Sequence, residues 1–272
     1  MRFAANVAFL FTEQPWLRRF EAAAEAGFGA VEFPWPDHPP RDVIAAVAAA
    51  GVDVVLLNVH GGDLSAGDRG YANDPQRIEA FRRALDEALQ LATDLGCPVI
   101  NVLAGRAVGG VPPAVQQRTL ETNLAWALSR ARGSGIRLLI EVLNHHDVAD
   151  YLFTRLAPAA ALVRAFDDPG LRLQFDAYHV ARVEPDLLDA YRSVAELVAH
   201  VQLADTPGRG EPGTGAAPLF ALLRQLATSG YTGAVALEYV PSVETHGALD
   251  WLPRALRSGV VTDLSALGPG DD

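Results

Sequence analysis

The chain contains eight short apolar runs, and each of them closes on a polar residue. Successive closing residues are 26 to 43 positions apart, which leaves room for one helix and two loops in every interval. An apolar run between helices is typical of a buried parallel strand, because helices cover both of its faces. The eight predicted strands are 3–6, 30–32, 54–58, 99–101, 138–141, 173–176, 200–202 and 235–238.

Each interval between strands also carries a helical pattern. Proline near the start and glycine just after the end mark the first of these segments, as Pro15 and Gly27 show. The predicted helices are 14–26, 41–50, 74–95, 113–132, 154–166, 185–199, 218–229 and 247–256. Eight strand–helix units in about 250 residues predict a (β/α)8 TIM barrel, an α/β fold, as a single domain over residues 1–257. Residues 258–272 are rich in Gly, Ser and Asp, and we expect them to form a weakly ordered tail.

The closing residues of the last four strands could form a metal site. These residues are Glu141, Asp176, Gln202 and Glu238. In a barrel of this kind the carboxyl ends of the strands point into the active site, so the four oxygen ligands would converge. Three carboxylates and one amide oxygen suit Mg2+ or Mn2+, and the absence of a His or Cys cluster at these positions disfavours zinc. The alternative is that the acidic residues only bond to helix N-termini or to arginines on the rim.

Glu141 and Glu238 are the candidate catalytic pair. They end strands five and eight, on opposite sides of the predicted ion. Two carboxylates that flank a bound carbonyl compound can act as general base and general acid on adjacent carbons. With an ion that polarises the carbonyl and stabilises an enediolate, this arrangement performs a 1,2-proton shift between an aldehyde and a ketone.

Further candidates for substrate contact lie on the loops that follow the strands. His179 lies three positions after the aspartate of strand six, and His145 lies just after strand five. Arg209 and Glu211 lie in the glycine-rich loop after strand seven, where such barrels bind anions, and Arg209 can hold a carboxylate through two hydrogen bonds. The alternatives are a rim histidine that caps the next helix and a surface pair between Arg209 and Glu211.

Composition and motifs narrow the function classes. The formal net charge of −11 argues against a general electrostatic attraction to nucleic acid. No GxxxxGK[ST] motif occurs, and no GxGxxG motif opens a helix directly after a strand, so a nucleotide cofactor is not expected. The lone Cys97, a start unlike a signal peptide and the lack of an 18-residue apolar run favour a cytosolic protein without a membrane partner.

Five segments carry a resemblance to a known family. They are 28–33, 62–70, 140–145, 175–179 and 209–215, and the last, Arg-Gly-Glu-Pro-Gly-Thr-Gly, is the most specific. From Phe3 to about Pro253 the chain resembles the hydroxypyruvate isomerase family, which is part of the xylose-isomerase-like group of metal-dependent barrels. The resemblance implies a metal site at the four strand ends, with the two glutamates as proton donor and acceptor. It also implies the reversible conversion of hydroxypyruvate to 2-hydroxy-3-oxopropanoate.

Two positions on the substrate side depart from the family pattern. The chain has Leu-Asn-Val-His at 57–60 where members often carry His-Asn-Leu-Pro, and it has Arg106 where they often carry Lys. We expect Asn58 and Arg106 to contact the substrate, a small hydroxy-oxo acid. A 2-oxo-tetronate isomerase and a ketose 3-epimerase remain alternatives, as do a non-catalytic sugar-acid sensor and a metal-dependent endonuclease. The oligomeric state stays open, with a homo-oligomer among the alternatives.

Overall fold

The computed structural model describes residues 1–267 and closes eight parallel strands into a barrel in chain order. The strands are β1 (Arg2–Asn6), β2 (Ala30–Phe33), β3 (Asp53–Asn58), β4 (Val99–Asn101), β5 (Arg137–Glu141), β6 (Leu171–Asp176), β7 (Val198–Leu203) and β8 (Ala234–Leu237). Strand β1 pairs with both β2 and β8, and this pairing closes the barrel. The predicted (β/α)8 fold and its eight strands are therefore confirmed.

Helices surround the barrel and cover its outer face. They are α1 (Arg19–Glu25), α2 (Pro40–Ala50), α3 (Ile78–Leu95), α4 (Pro113–Ala131), α5 (Leu156–Phe166), α6 (Ala177–Ala181), α7 (Leu187–Arg192) and α8 (Leu219–Thr228). Helices α2 and α3 end at glycines in the left-handed conformation, Gly51 with φ 66° and Gly96 with φ 64°. The next residue, Cys97, is a buried free thiol whose Sγ donates to the carbonyl of Val99 at 3.2 Å.

Several predicted helices begin later in the structure: 14–26 holds a 3₁₀ turn, Trp16–Arg18, before α1, and 74–95 begins at Ile78. Two others differ more. The segment 185–199 divides into α7 and a short 3₁₀ helix, Ala195–Leu197, because β7 already begins at Val198. The predicted eighth helix, 247–256, is wrong: the segment holds only two 3₁₀ turns, Gly247–Leu249 and Arg254–Leu256. Pro253 lies between the turns, and proline has no N–H for a helical hydrogen bond and disfavours helical geometry in the residue before it.

The interior of the barrel changes from apolar to polar along the strands. A small cluster separate from the main core is formed by Ala4, Ala30, Val55 and Ala236. Side chains two positions apart on a strand share a face, so Asn6 and Glu32 follow Ala4 and Ala30 on the interior. The two-residue period therefore explains why a polar residue that closes a strand faces the carboxyl end of the barrel.

The first residues of the C-terminal tail pack more closely than the sequence predicts. Val260 pairs with Arg2 in an antiparallel bridge, and Val261 and Met1 exchange backbone hydrogen bonds of 2.8 and 3.2 Å. Val261 is buried, and its apolar side chain belongs to the main hydrophobic core. The rest of the predicted tail, 268–272, lies outside the described residues. Within 1–267, none of the helices combines the length and the apolar character needed to cross a bilayer.

Candidate active site

Two carboxylates and one imidazole meet at the carboxyl end of the barrel. Glu141 ends β5, Asp176 ends β6, and His179 lies on α6, which starts directly after β6. One ligand atom from each of the three lies within 4.8 Å of the others, and all three residues are buried. Asp176 Oδ1 also accepts the backbone N–H groups of Tyr178 and His179, at 2.8 and 3.4 Å, and so caps α6. The cap places the imidazole beside the carboxylates.

The other two predicted ligands lie at the same end of the barrel. Gln202 is buried on β7, where its Oε1 accepts a hydrogen bond of 2.6 Å from Gln174 Nε2. Glu238 follows β8, and its Oε1 accepts a hydrogen bond of 3.0 Å from Asn6 Nδ2. Asn101, which closes β4, donates to Glu141 Oε2 at 2.7 Å. The four predicted ligands are thus held in a buried polar layer that also contains the closing residues of β1 and β4.

Arg209 extends from the loop after β7 into this polar layer. Its Nη2 forms a short hydrogen bond with Glu238 Oε2 and lies 3.4 Å from Asp176 Oδ2. The guanidinium also lies between two aromatic rings, 4.8 Å from the Phe9 centroid and 4.7 Å from that of Tyr178. These are cation–π distances, and the side chain is only 20% exposed. Arg209 therefore lies beside the carboxylates of this layer, and its contact with a substrate stays a prediction.

The loop after β7 has an internal framework that holds Arg209 in place. The carboxylate of Asp205 is buried and accepts backbone N–H groups from Thr206, Gly213, Gly215 and Ala217. Position 215 requires glycine, because a Cβ there would lie 2.0 Å from the carbonyl oxygen of Thr206. Arg209 itself has φ 56°, a left-handed conformation that is uncommon for a residue with a side chain. The loop thus stores some backbone strain at the residue that enters the site.

Burial and mutual repulsion raise the pKa values of the two glutamates. Burial, followed by the negative charge of Asp176, raises the pKa of Glu141 to about 8. Burial also raises the pKa of Glu238 well above its usual value, although Arg209 opposes this. Burial lowers the pKa of Arg209, but Glu238 and Asp176 outweigh it, so the pKa is raised and the guanidinium stays charged. Three carboxylates with one guanidinium in a buried layer of oxygen donors fit a divalent cation.

Hydrogen bonding decides which nitrogen of His179 carries the proton. The backbone N–H of Asn144 donates to His179 Nδ1 at 3.1 Å, and Asn144 Nδ2 lies 2.7 Å from the same nitrogen. The amide of Asn144 is fixed, because its Oδ1 accepts the N–H of Asp147 and its Nδ2 donates to that residue's carboxylate. Nδ1 is therefore an acceptor and the proton is on Nε2. Burial lowers the pKa of His179 to about 4, which agrees with a neutral ring.

The proton on Nε2 makes His179 a hydrogen-bond donor in the site and not a metal ligand. A metal ligand needs a free lone pair, which Nε2 lacks in this tautomer. Although His179 lies within 4.8 Å of the two carboxylates, it is therefore not expected to bind the ion through Nε2. Nε2 lies 3.3 Å from Arg209 Nη1, and both atoms carry protons. Two donors cannot satisfy each other, whereas one acceptor oxygen within hydrogen-bond distance of both nitrogens would satisfy both. Asn144, which sets this arrangement, follows Glu141 by three positions and was not a candidate from the sequence.

The remaining predicted contacts lie outside this cluster. His145 is exposed and its ring centroid lies 4.1 Å from that of His146. Asn58 is half-buried and lines a cavity of about 490 Å³ between the loops after β2, β3 and β4. Arg106 donates to the carbonyl of Gly67 at 3.0 Å and so joins the loops after β3 and β4. Their contacts with a substrate stay predictions.

Glu211 also has a structural partner. Its carboxylate accepts the backbone N–H of Ser242 at 3.1 Å and forms a short hydrogen bond with the Ser242 hydroxyl. The alternative of a surface pair between Arg209 and Glu211 is therefore wrong, because Arg209 turns inward. The contact of Glu211 ties the loop after β7 to the loop after β8, and its role in substrate binding stays a prediction.

A second cavity lies at the opposite end of the barrel. It has a volume of about 620 Å³ and is lined by strand starts and the loops before them, including Arg2, Pro98, Arg137 and Ala234. The titratable groups that could do chemistry converge instead at the carboxyl ends of β5, β6 and β8. We therefore assign the candidate active site to the carboxyl end, where barrels of this type carry their chemistry.

Comparison with known proteins agrees with this architecture. A model of the xylose isomerase-like TIM barrel family matches residues 20–257. A protein of Escherichia coli named hydroxypyruvate isomerase is 37% identical, with 93% of this chain and 98% of that protein covered. A 2-oxo-tetronate isomerase of Pectobacterium atrosepticum is 34% identical, with 92% and 96% covered. A solved structure titled AP endonuclease, family 2, from Brucella melitensis superposes with a TM-score of 0.88 at 34% identity, with 92% and 97% covered.

Proposed function

We propose, since this chain belongs to the xylose isomerase-like TIM barrel family, that it is a metal-dependent isomerase that interconverts hydroxypyruvate and 2-hydroxy-3-oxopropanoate. The observation that carries the proposal is the convergence of Glu141, Asp176 and Glu238 at the carboxyl end of the barrel, where Arg209 contacts both Asp176 and Glu238. Two carboxyl groups beside a bound carbonyl compound can remove a proton from one carbon and deliver one to its neighbour. The Escherichia coli relative that is named for this activity supports the choice of reaction.

The donor set favours a hard divalent ion. We assign Mg2+ or Mn2+ to Glu141, Asp176, Gln202 and Glu238. All four ligands offer oxygen, which these ions prefer. When bound, the ion supplies Lewis-acid polarisation of a substrate oxygen. The buried, reduced Cys97 is consistent with a cytosolic location, which we propose as well.

The net reaction moves one hydrogen between adjacent carbons. C3 of hydroxypyruvate loses a proton, C2 gains one, and the hydroxyl proton passes from O3 to O2. We assign the two carbon-bound transfers to Glu141 and Glu238, one as base and the other as acid. Glu141 is buried and the side chain of Glu238 is 15% exposed, so both carboxyl groups have limited contact with solvent.

Arg209 and His179 provide the substrate-orienting donors in this proposal. His179 Nε2 and Arg209 Nη1 lie 3.3 Å apart, so one acceptor oxygen of the substrate could accept a hydrogen bond from each. A guanidinium matches a carboxylate better than it matches the hydroxyl of a neutral sugar. The substrate class that fits is therefore a small hydroxy-oxo acid.

A four-carbon substrate is the second candidate. The relative named 2-oxo-tetronate isomerase supports it, and so does the cavity of about 490 Å³ beside Asn58. Asn58 pairs in register with Asn101, the residue that donates to Glu141, so the cavity lies two strands from the glutamate. That space would accommodate one further hydroxymethyl group. The higher identity to the hydroxypyruvate isomerase favours the three-carbon acid.

Isotope exchange tests the proposed reaction. We expect hydroxypyruvate, incubated in D2O with the protein and Mn2+ or Mg2+, to yield 2-hydroxy-3-oxopropanoate that carries deuterium at C2. Proton NMR follows both compounds, and a 2-oxo-tetronate and a neutral ketose are run in parallel. Samples without protein and with chelator are the controls. Binding of the acid without any metal-dependent interconversion would instead identify a sensor.

A further inference from the structure

Glu32 is a buried carboxylate on β2 that the proposed reaction does not use. It lies inside the barrel and is fully buried, with 0% of the residue exposed. Burying a carboxylate is costly unless hydrogen bonds satisfy its oxygens. Its partners therefore indicate what the residue does.

Oxygen Oε1 of Glu32 accepts two side-chain N–H groups. Asn6 Nδ2 donates at 2.8 Å and Gln202 Nε2 donates at 2.7 Å. The orientation of the Asn6 amide is set separately, because its Oδ1 accepts the backbone N–H of Ala8 at 3.0 Å. The other oxygen, Oε2, lies 2.5 Å from His200 Nε2, although outside hydrogen-bond geometry.

The contact with Glu32 determines which way round the Gln202 amide faces. With Nε2 directed at Glu32, the carbonyl oxygen Oε1 faces the other way, where it accepts from Gln174 Nε2 at 2.6 Å. A carbonyl oxygen has two lone pairs, so one remains for a cation. If the amide were reversed, its oxygen would face a carboxylate and its N–H groups would face the cation, and both contacts would be repulsive.

We propose that Glu32 is a positioning residue that holds Gln202 with its oxygen towards the metal ion. This inference rests on the proposed ligand set, in which Gln202 is the single amide. The three carboxylate ligands offer oxygen in either orientation, whereas an amide offers oxygen in only one. A neighbouring acceptor that selects this orientation is therefore needed for Gln202 alone. Partners of metal ligands in this position typically change metal affinity by about 10- to 100-fold when they are replaced.

The first test replaces Glu32 with an amide of the same shape. In Glu32→Gln the new side chain can turn either its oxygen or its nitrogen towards Gln202, so the Gln202 amide is free to reverse. We expect Mn2+ affinity, measured by isothermal titration calorimetry, to fall by about 10- to 100-fold. Glu184→Gln is the matched control, since Glu184 accepts the backbone N–H of Leu156 away from the site. Unchanged Mn2+ affinity in a folded Glu32→Gln protein would overturn the inference.

A double-mutant cycle separates orientation from simple charge. Once Gln202→Ala has removed the amide, adding Glu32→Gln should cause no further loss of Mn2+ affinity if Glu32 acts through Gln202. An equal loss in both backgrounds would mean that Glu32 acts independently of Gln202, by its charge or through Asn6 and Glu238, and this would contradict the inference. Full Mn2+ affinity in Gln202→Ala would show that Gln202 is not a ligand, and this would also contradict it.

The wild-type protein offers a third measurement that needs no variant to fold. In the metal-free protein, the side-chain NH2 of Gln202 should exchange slowly with solvent, because Glu32 holds it inside the barrel. Its NMR signals are assigned by their loss in Gln202→Ala, and rapid exchange would refute the proposed contact. These readouts are independent of turnover. A protein whose Mn2+ affinity depends on Glu32 and Gln202 as expected, but which does not isomerise hydroxypyruvate, would refute the proposed function and leave this inference intact.

Discussion

Replacing Arg209 with alanine tests whether the substrate must carry a carboxylate. The guanidinium contacts Glu238 and Asp176, and its Nη1 faces the N–H of His179. Arg209→Ala therefore removes two different things: a partner of the site's own carboxylates, and a donor for a substrate oxygen. The first loss affects every substrate alike. The second loss affects only a substrate whose carboxylate binds the guanidinium. The fall in kcat/KM for an acid, divided by the fall for a neutral substrate, therefore measures the second loss alone.

The expected fall in kcat/KM follows from the loss of the hydrogen bond between the guanidinium and the substrate carboxylate. A hydrogen bond to a charged group contributes about 1.5–3 kcal/mol, and 1.4 kcal/mol corresponds to a factor of about 10. We expect Arg209→Ala to lower kcat/KM for hydroxypyruvate by roughly 10- to 150-fold more than for a neutral ketose. For Arg209→Lys we expect a kcat/KM for hydroxypyruvate between those of the wild type and Arg209→Ala. Lysine keeps the positive charge but lacks the planar guanidinium that can form two parallel hydrogen bonds.

Steady-state kinetics on the acid and on the neutral ketose provide the assay, at saturating Mn2+. If the ketose is not turned over, its inhibition constant against hydroxypyruvate takes the place of kcat/KM. Calorimetry at the same pH confirms that the variant still binds Mn2+. Equal effects of Arg209→Ala on acid and neutral compounds would show that Arg209 serves only Glu238 and Asp176, and the assigned substrate class would then be wrong.

Three further predictions follow from the same structure. Glu238→Gln keeps an oxygen for the ion but cannot transfer a proton, so kcat should fall by at least about 100-fold; near-normal turnover at unchanged Mn2+ affinity would exclude the two-glutamate mechanism. Chelation should abolish isomerisation, and Mg2+ or Mn2+ should restore it in a direct assay, whereas persistent activity in chelator would refute a metal-dependent reaction. The hydrogen bond from Arg77 lowers the pKa of Asp68, so this pair stabilises the fold above the unfolded pKa of about 4, and the contribution is lost as pH falls through the folded pKa. The Tm difference between wild type and Asp68→Asn should therefore be larger at about pH 7 than at about pH 3, and a gap independent of pH would contradict this.

The strands and their polar closing residues could be predicted from the sequence because both depend on a local pattern. A buried parallel strand needs a continuous apolar run, and the two-residue period turns the closing polar residue into the barrel. Glu141 and Asp176 were found in this way. The helical pattern was less reliable at 247–256, where Pro253 divides the segment into two short turns.

Side-chain orientation could not be predicted, because it depends on contacts between distant segments. Asn6 and Glu32 were visible as closing residues of strands, yet only the folded barrel shows that they bond to Glu238 and Gln202. Asn144 sets the tautomer of a histidine 35 residues away. No spacing rule connects such pairs, since their proximity arises from strand pairing and from the closure of the barrel.

The buried thiol of Cys97 has a practical consequence. Burial raises the pKa of this thiol to about 12, so it stays protonated and unreactive at neutral pH. The sequence contains no other cysteine. A cysteine introduced on an exposed helix face would therefore be the single site for a thiol-directed spin label, with no need to replace the native residue. Because Mn2+ is paramagnetic, such labels on several helices would locate the bound ion by triangulation, and the distances would show directly whether it lies among the ends of β5 to β8.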